Sequence, residues 1–149
     1  MTQRELQFPA LFEPDPVTGA VVVTFPGLPG GTQADSMDEA ARMASDCLAT
    51  ILSAYVDLGQ DLPRPISRRG NLPGTRWVMP PPMAEAKLSL YAAMREAGMG
   101  SKELGQRLGW TEEQVGRLVD IRRACSLDQI ETALQALGLR LTIGIETAA

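Results

Sequence analysis

The sequence predicts an α+β fold: a β-β-β-α-β segment, followed by an all-α segment that ends in a short strand. Three patterns predict it. Residues 6–12 place Leu6, Phe8, Ala10 and Phe12 on one side of a period-two alternation, with Gln7, Pro9 and Leu11 on the other. Met37, Ala40, Ala41, Ala44, Cys47, Leu48, Ile51, Leu52, Tyr55 and Leu58 recur at three- and four-residue steps, the stripe of a long amphipathic helix. Residues 101–119, SKELGQRLGWTEEQVGRLV, hold two short helical repeats separated by Gly109.

In chain order, the first strand contains Pro9, which lacks a ladder donor and so predicts an edge position or a bulge. Residues 13–19, EPDPVTG, are turn chemistry. Residues 20–25 are β-branched and aromatic, an antiparallel partner for the first strand. Residues 26–31, PGLPGG, break that strand, and 32–35 form a short third one. Ser36-Met37-Asp38-Glu39 is a capping box that opens the long helix, and Gly59 closes it. Core packing accounts for the whole stripe. Residues 61–82 are interrupted by prolines, with 76–79 as a fourth strand. The expected domains are therefore 1–79 and 80–149. Arg64, Arg68, Arg69 and Arg76 belong either to a solvated linker or to a surface that meets phosphate or a partner.

Residues 83–97 are a helix with Ala84, Leu88, Tyr91, Met94 and Ala97 inward and Gly98 just past its end. Then comes a helix-turn-helix. Gly105 is small where two helices cross, and Gly109 takes the left-handed turn. Val115 and Leu118 face back toward Leu104 and Leu108, and Thr111 to Gln114 form a capping box. Such a pair either lays its second helix in a DNA major groove or packs as an ordinary bundle. For DNA, the candidates on the second helix are Thr111, Gln114 and Arg117, with Gly116 permitting close approach. Ser101 and Lys102 suit a phosphate at a helix N-terminus, and Arg122 and Arg123 the neighbouring backbone.

A further capping box at Ser126 starts a helix with Leu127, Ile130, Leu134 and Leu137 inward, closed by Gly138. Residues 139–145 then alternate as a strand does. A lone strand leaves its edge unpaired, so Leu139, Leu141, Ile143 and Ile145 are expected to pair with a second copy in a two-fold dimer. Two such units match a palindromic site with half-sites about one DNA turn apart.

Bulk properties narrow the function. No apolar run approaches the ~20 residues of a membrane span and no signal segment opens the chain, so a soluble cytoplasmic protein is expected. Cys47 and Cys125 lie in helical apolar patterns, as small buried thiols do. Histidine is absent, which removes Ser-His and Cys-His catalysis and argues against zinc. No spacing of carboxylates demands a shared metal, and the glycines at 27–31 lack the GK[ST] end of a phosphate loop. No catalytic, metal or cofactor site is expected. Residues 1–62 carry two basic against nine acidic residues, residues 63–79 four basic and none acidic, and residues 80–149 eight against nine. The acidic front half either attracts a basic partner or only keeps the chain soluble.

Taken together, Phe8-Pro9-Ala10, the acidic turn at Asp15, residues 25–30 (FPGLPG), Thr32, Asp35-Ser36 and the helix ending in Gly59 resemble the HicB antitoxins of bacterial type II toxin–antitoxin pairs. AKLSLYAAMREAG, SKELGQRLGW and DQIETALQALGLRL match the subgroup with a C-terminal helix-turn-helix, so the resemblance runs nearly end to end. It implies a partial RNase H-like front domain that blocks a small basic RNase toxin, HicA, and a rear domain that represses the pair's own operon as a dimer. Glu13, Asp15 and Asp35 are the candidate toxin contacts. Glu112 and Glu113 depart from a phosphate-facing surface; they serve the helix N-terminus or accept from cytosine. The alternative is a stand-alone transcriptional regulator whose front domain binds another partner or ligand. A small basic protein encoded by the adjacent reading frame would favour the pair.

Overall fold

The computed structural model describes residues 6–65 and 73–147. Arg68 and Arg69 lie outside the described residues. Among the described residues nine elements follow one another: β1 (Phe8–Pro14), β2 (Val21–Thr24), β3 (Gly31–Ala34), α1 (Met37–Asp57), β4 (Thr75–Val78), α2 (Pro82–Glu96), α3 (Ser101–Leu108), α4 (Glu112–Val119) and α5 (Leu127–Ala136). The α+β class and the β-β-β-α-β order of the front half are as expected. The four strands form one antiparallel sheet in the order β3-β2-β1-β4.

The period-two alternation sorts the sheet's two faces. Phe8, Ala10 and Phe12 of β1, Val21 and Val23 of β2, Ala34 and Val78 are all buried on the inner face. The stripe of α1 covers them with Ala40, Ala44, Leu48 and Leu52. Ala41 is exposed and Leu58 is 70% exposed, so those two leave the expected stripe. They fall at the stripe's flank and at the helix end, past the sheet that α1 covers. The thiols of Cys47 and Cys125 are free and half-buried rather than enclosed. Burial raises the Cys47 pKa.

Pro9 does not sit in an edge strand, because β1 runs down the middle of the sheet. It is nonetheless at a local edge. The Phe12 N–H points to the β4 side, donating to Gly74 O at 3.0 Å, so the nitrogen of Pro9 points to the β2 side by parity. There β2 has already ended, since its register stops at Leu11 opposite Thr24. The missing donor costs no ladder bond.

Local chemistry ends the elements. Pro26 and Gly27 (φ 82°) make a type II turn closed by Leu28 N–H to Phe25 O. Ser36 Oγ accepts from Glu39 N–H at 3.2 Å. The returning Glu39 carboxylate reaches Asp35 N–H rather than Ser36, one residue beyond a capping box. At the other end of α1, Gln60 N–H donates to Tyr55 O across Gly59, a Schellman closure.

The buried core continues without a break from the sheet and α1 through α2 into the cluster of α3, α4 and α5. A polar seam lines that junction. Ser45 Oγ donates to Met79 O, Tyr91 Oη to Gln60 O, and Arg95 reaches both Asp61 and Gly59 O. Ala97 and Leu127 (37%), expected inward, are exposed because each sits at a helix end where the core has fallen away. The strand expected over residues 139–145 does not form within one chain. No described strand offers it a ladder, and a strand exists only by its backbone bonds to another. Leu139 and Leu141 lie half-buried against the chain's own core, while Ile143 (75%) and Ile145 (99%) face solvent.

Candidate functional site

The helix pair α3–α4 is built around two glycines. A Cβ on Gly105 would stand 2.6 Å from Trp110 O and 3.4 Å from Thr111 O, so the turn after α3 folds back against that helix at backbone distance. Gly109 takes the left-handed conformation (φ 73°), and Trp110 N–H donates to Gly105 O at 2.8 Å. Thr111 and Gln114 form a complete capping box, with Gln114 N–H donating to Thr111 Oγ1 and Thr111 N–H to Gln114 Oε1. Leu104, Val115 and Leu118 are fully buried between the helices, with Val119 beside them.

Opposite that seam, Glu112, Glu113, Gln114 and Arg117 are exposed. Thr111 and the Gln114 carbonyl are committed to the cap, which leaves the Gln114 amide N–H groups facing outward. Gly116 is half-buried, yet a Cβ there would meet nothing within 4 Å. The chain's own packing does not need that glycine. Ser101 is half-buried and Lys102 exposed, at the first turn of α3.

Three of the candidate cations, Arg117, Arg122 and Arg123, are matched to carboxylates. Arg122 Nε donates to Asp120 Oδ1 and its Nη2 to Asp57 Oδ1, both at 2.9 Å. The Arg122 guanidinium holds the Asp120 carboxyl below its ordinary pKa. Arg123 meets Glu113 at 3.1 Å, and Arg117 stands 3.9 Å from the same carboxylate. Glu113 therefore neither caps the helix dipole alone nor stands free; it organises two arginines on one face. Apart from Asp120, which is partly buried, these groups are solvent-exposed and their pairs individually weak, so exchanging such a carboxylate for a phosphate costs little.

The three acids expected on the front half come to one end of the sheet. Pro14, Val21 and Ala34 are in register there, with Glu13 just before that row and Asp15 and Asp35 just past it. Asp15 also has a local duty. Its Oδ1 accepts from Val17 N–H at 2.8 Å and Thr18 N–H at 3.4 Å, and these backbone donors lower its pKa.

Two features escaped the sequence pattern. The outer sheet face carries Trp77 (48% exposed) opposite Pro9, Val22 (42%) opposite Glu13, Leu11 half-buried between them, and Met79 (37%) beyond the end of β4. No described element covers that face. The signal was present in the alternation of β4, where Trp77 falls on the side opposite Val78. The second feature is Lys87, 1% exposed, whose Nζ donates to Arg117 O at 2.6 Å. Position 87 lies on the inward stripe of α2, three residues after Ala84 and four before Tyr91. Among the described residues, no three His, Cys, Asp or Glu side chains gather as a metal site would require, and no helix is long and apolar enough to cross a membrane.

No family model matches the chain. Curated relatives do. It is 34% identical over 114 residues to the antitoxin HicB of Pseudomonas fluorescens, covering 76% of this chain and 77% of that one. The chain belongs to the HicB antitoxin family. Antitoxin HicB 1 of Photorhabdus laumondii is 29% identical over 144 residues, 96% of this chain and 89% of its own. Antitoxin HicB of Escherichia coli K12 is 25% identical over 139 residues, 93% and 98% respectively. The likeness to these HicB antitoxins therefore spans both the sheet and the helical half. Membership supports an antitoxin role and a toxin as the kind of partner.

Proposed function

We propose that this chain neutralises a small basic RNase toxin of the HicA type with residues 1–79, a partial RNase H-like domain, and represses its own operon with residues 80–149. In this reading α3 and α4 are the helix-turn-helix, and residues 139–145 pair two copies into the dimer that a palindromic operator requires. The observation that carries the regulatory half is the exposed face of α4: Gln114 and Arg117 stand outward from a helix whose other side is fully buried. The inhibitory half rests on the uncovered sheet face, with Trp77, Leu11 and Val22 inside it and Glu13, Asp15 and Asp35 at one end. An apolar patch rimmed by acids suits a basic protein partner, the acids steering encounter and the aromatic anchoring it.

Co-expression with the product of the adjacent reading frame, followed by pull-down and by gel shift on the upstream DNA, tests both halves. A co-purified basic protein and a salt-sensitive shifted band support the proposal. Neither a partner nor a shift removes it. The stand-alone regulator keeps one observation in its favour, an open apolar hollow of about 430 Å³ between Pro29 and α1, lined by Ile51, Ala54, Tyr55 and Leu58. Absence of a basic neighbour and ligand-dependent DNA binding would favour it.

Two variants probe the DNA face directly. Arg117→Ala is expected to weaken operator binding by about 1–3 kcal/mol with little change in melting temperature. An unaltered gel-shift titration takes Arg117 out of the interface. Gly116→Ala is expected to act with opposite signs. It removes a mid-helix glycine in open space and so stabilises the fold by about 0.5–1 kcal/mol in urea unfolding. The same methyl obstructs close approach to DNA, so affinity falls. Gain of stability with full affinity shows that Gly116 faces no ligand.

A further inference from the structure

Resting on the DNA reading above, we infer that Lys87 is a positioning residue for α4. The other four helices close their own C-terminal ends. Gly59, Gly98, Gly109 and Gly138, all at positive φ, follow α1, α2, α3 and α5, and each end is tied by backbone N–H groups returning to the last turn. α4 differs. It runs into Asp120 with an extended backbone (φ −97°, ψ 110°), so no left-handed residue returns donors to its orphan carbonyls.

One of those carbonyls, Arg117 O, is met instead by the Lys87 ammonium of α2 at 2.6 Å, from a side chain only 1% exposed. Lys87 is also the one charged side chain buried among the described residues. A cation at the negative end of a helix is favourable, and burial removes the water that would otherwise weaken that attraction. The anchored residue is Arg117 itself. Its backbone is tied to α2 while its guanidinium faces outward. α2 in turn is bolted to the end of α1 by Tyr91 and Arg95. The C-terminal end of α4, packed through Val115 and Leu118, is therefore tied to α2 by this side-chain hydrogen bond rather than by a cap of its own, and base-edge recognition depends on the placement of that end more than phosphate attraction does.

The test uses the full chain, a duplex from the region upstream of its own coding sequence, and a random duplex of equal length. Lys87→Met keeps the aliphatic stem and removes the donor. The expected result is a loss of about tenfold or more on the upstream duplex, because each displaced base contact is worth that much. Affinity for the random duplex and the slope of binding with salt stay within about twofold of the parent, since the phosphate contacts are untouched. Lys87→Gln, which retains a donor, recovers part of the loss. A folded Lys87→Met chain with parental affinity overturns the inference, as does an equal loss on both duplexes. If Lys87→Met does not fold, Lys87→Gln carries the same criteria; failure of both to fold makes Lys87 a folding residue and also overturns it. A parent chain that does not distinguish the two duplexes fails the DNA reading itself, before any variant is compared.

Discussion

Gly105→Ala is expected to destabilise the full chain by about 1–3 kcal/mol, the cost of forcing an extra methyl into a packed site. The added Cβ would stand 2.6 Å from Trp110 O, and the obstacle is backbone, not a side chain that can swing away. Relief requires the α3–α4 turn to open. That would strain the Trp110 N–H bond to Gly105 O and draw Leu104 away from Val115 and Leu118. Urea unfolding followed by circular dichroism reads the stability, and a gel shift reads the proposed DNA face. A variant as stable as the parent would mean that the turn is not held this tightly. The contrast with Gly116 is informative: both are helical glycines, eleven residues apart in the α3–α4 pair, yet only Gly105 is required by the chain's own packing.

If the proposed toxin contact is right, Trp77→Ala is expected to weaken capture of that basic partner by about 2 kcal/mol or more, roughly thirtyfold, as loss of an aromatic anchor at an interface centre does. Trp77 is half exposed on an uncovered face and lies opposite Pro9 in the register, away from the core that Phe8 and Val78 build with α1. Its removal should therefore cost the free protein little stability compared with its effect on binding. Calorimetric titration with the neighbouring gene product measures the first quantity and thermal unfolding the second. Undiminished affinity would move the toxin contact off this face. Neutralising Glu13 should act differently, slowing association and flattening its salt dependence, because a rim charge steers encounter more than it holds a complex.

The strand and helix positions were legible because their signals are local. A capping hydroxyl bonds a donor three residues on, as Ser36, Thr111 and Ser126 do, and a period of two assigns faces without knowledge of any partner. The candidate DNA face was legible for the same reason, since Val115 and Leu118 define an inner side and leave Gln114 and Arg117 to the other. Errors fell where an element outruns its neighbours. Leu58, Ala97 and Leu127 obey the periodic pattern but stand at ends with nothing left to cover them. The tail at 139–145 shows the same limit, because alternation describes a strand's faces and not whether a ladder partner is present.

By itself the sequence determined the order of elements as far as α5, the helix ends, the inner faces of β1, β2 and α1, and the glycine corner of α3–α4. Each depends on residues within one or two turns of one another. Only the tertiary structure decided that Asp57 reaches Arg122, how Lys87 finds Arg117 O thirty residues away, and that Trp77 lies on a face no described element covers. Those contacts join residues distant along the chain, and their geometry is set by how the sheet and helices pack, a quantity no local period encodes.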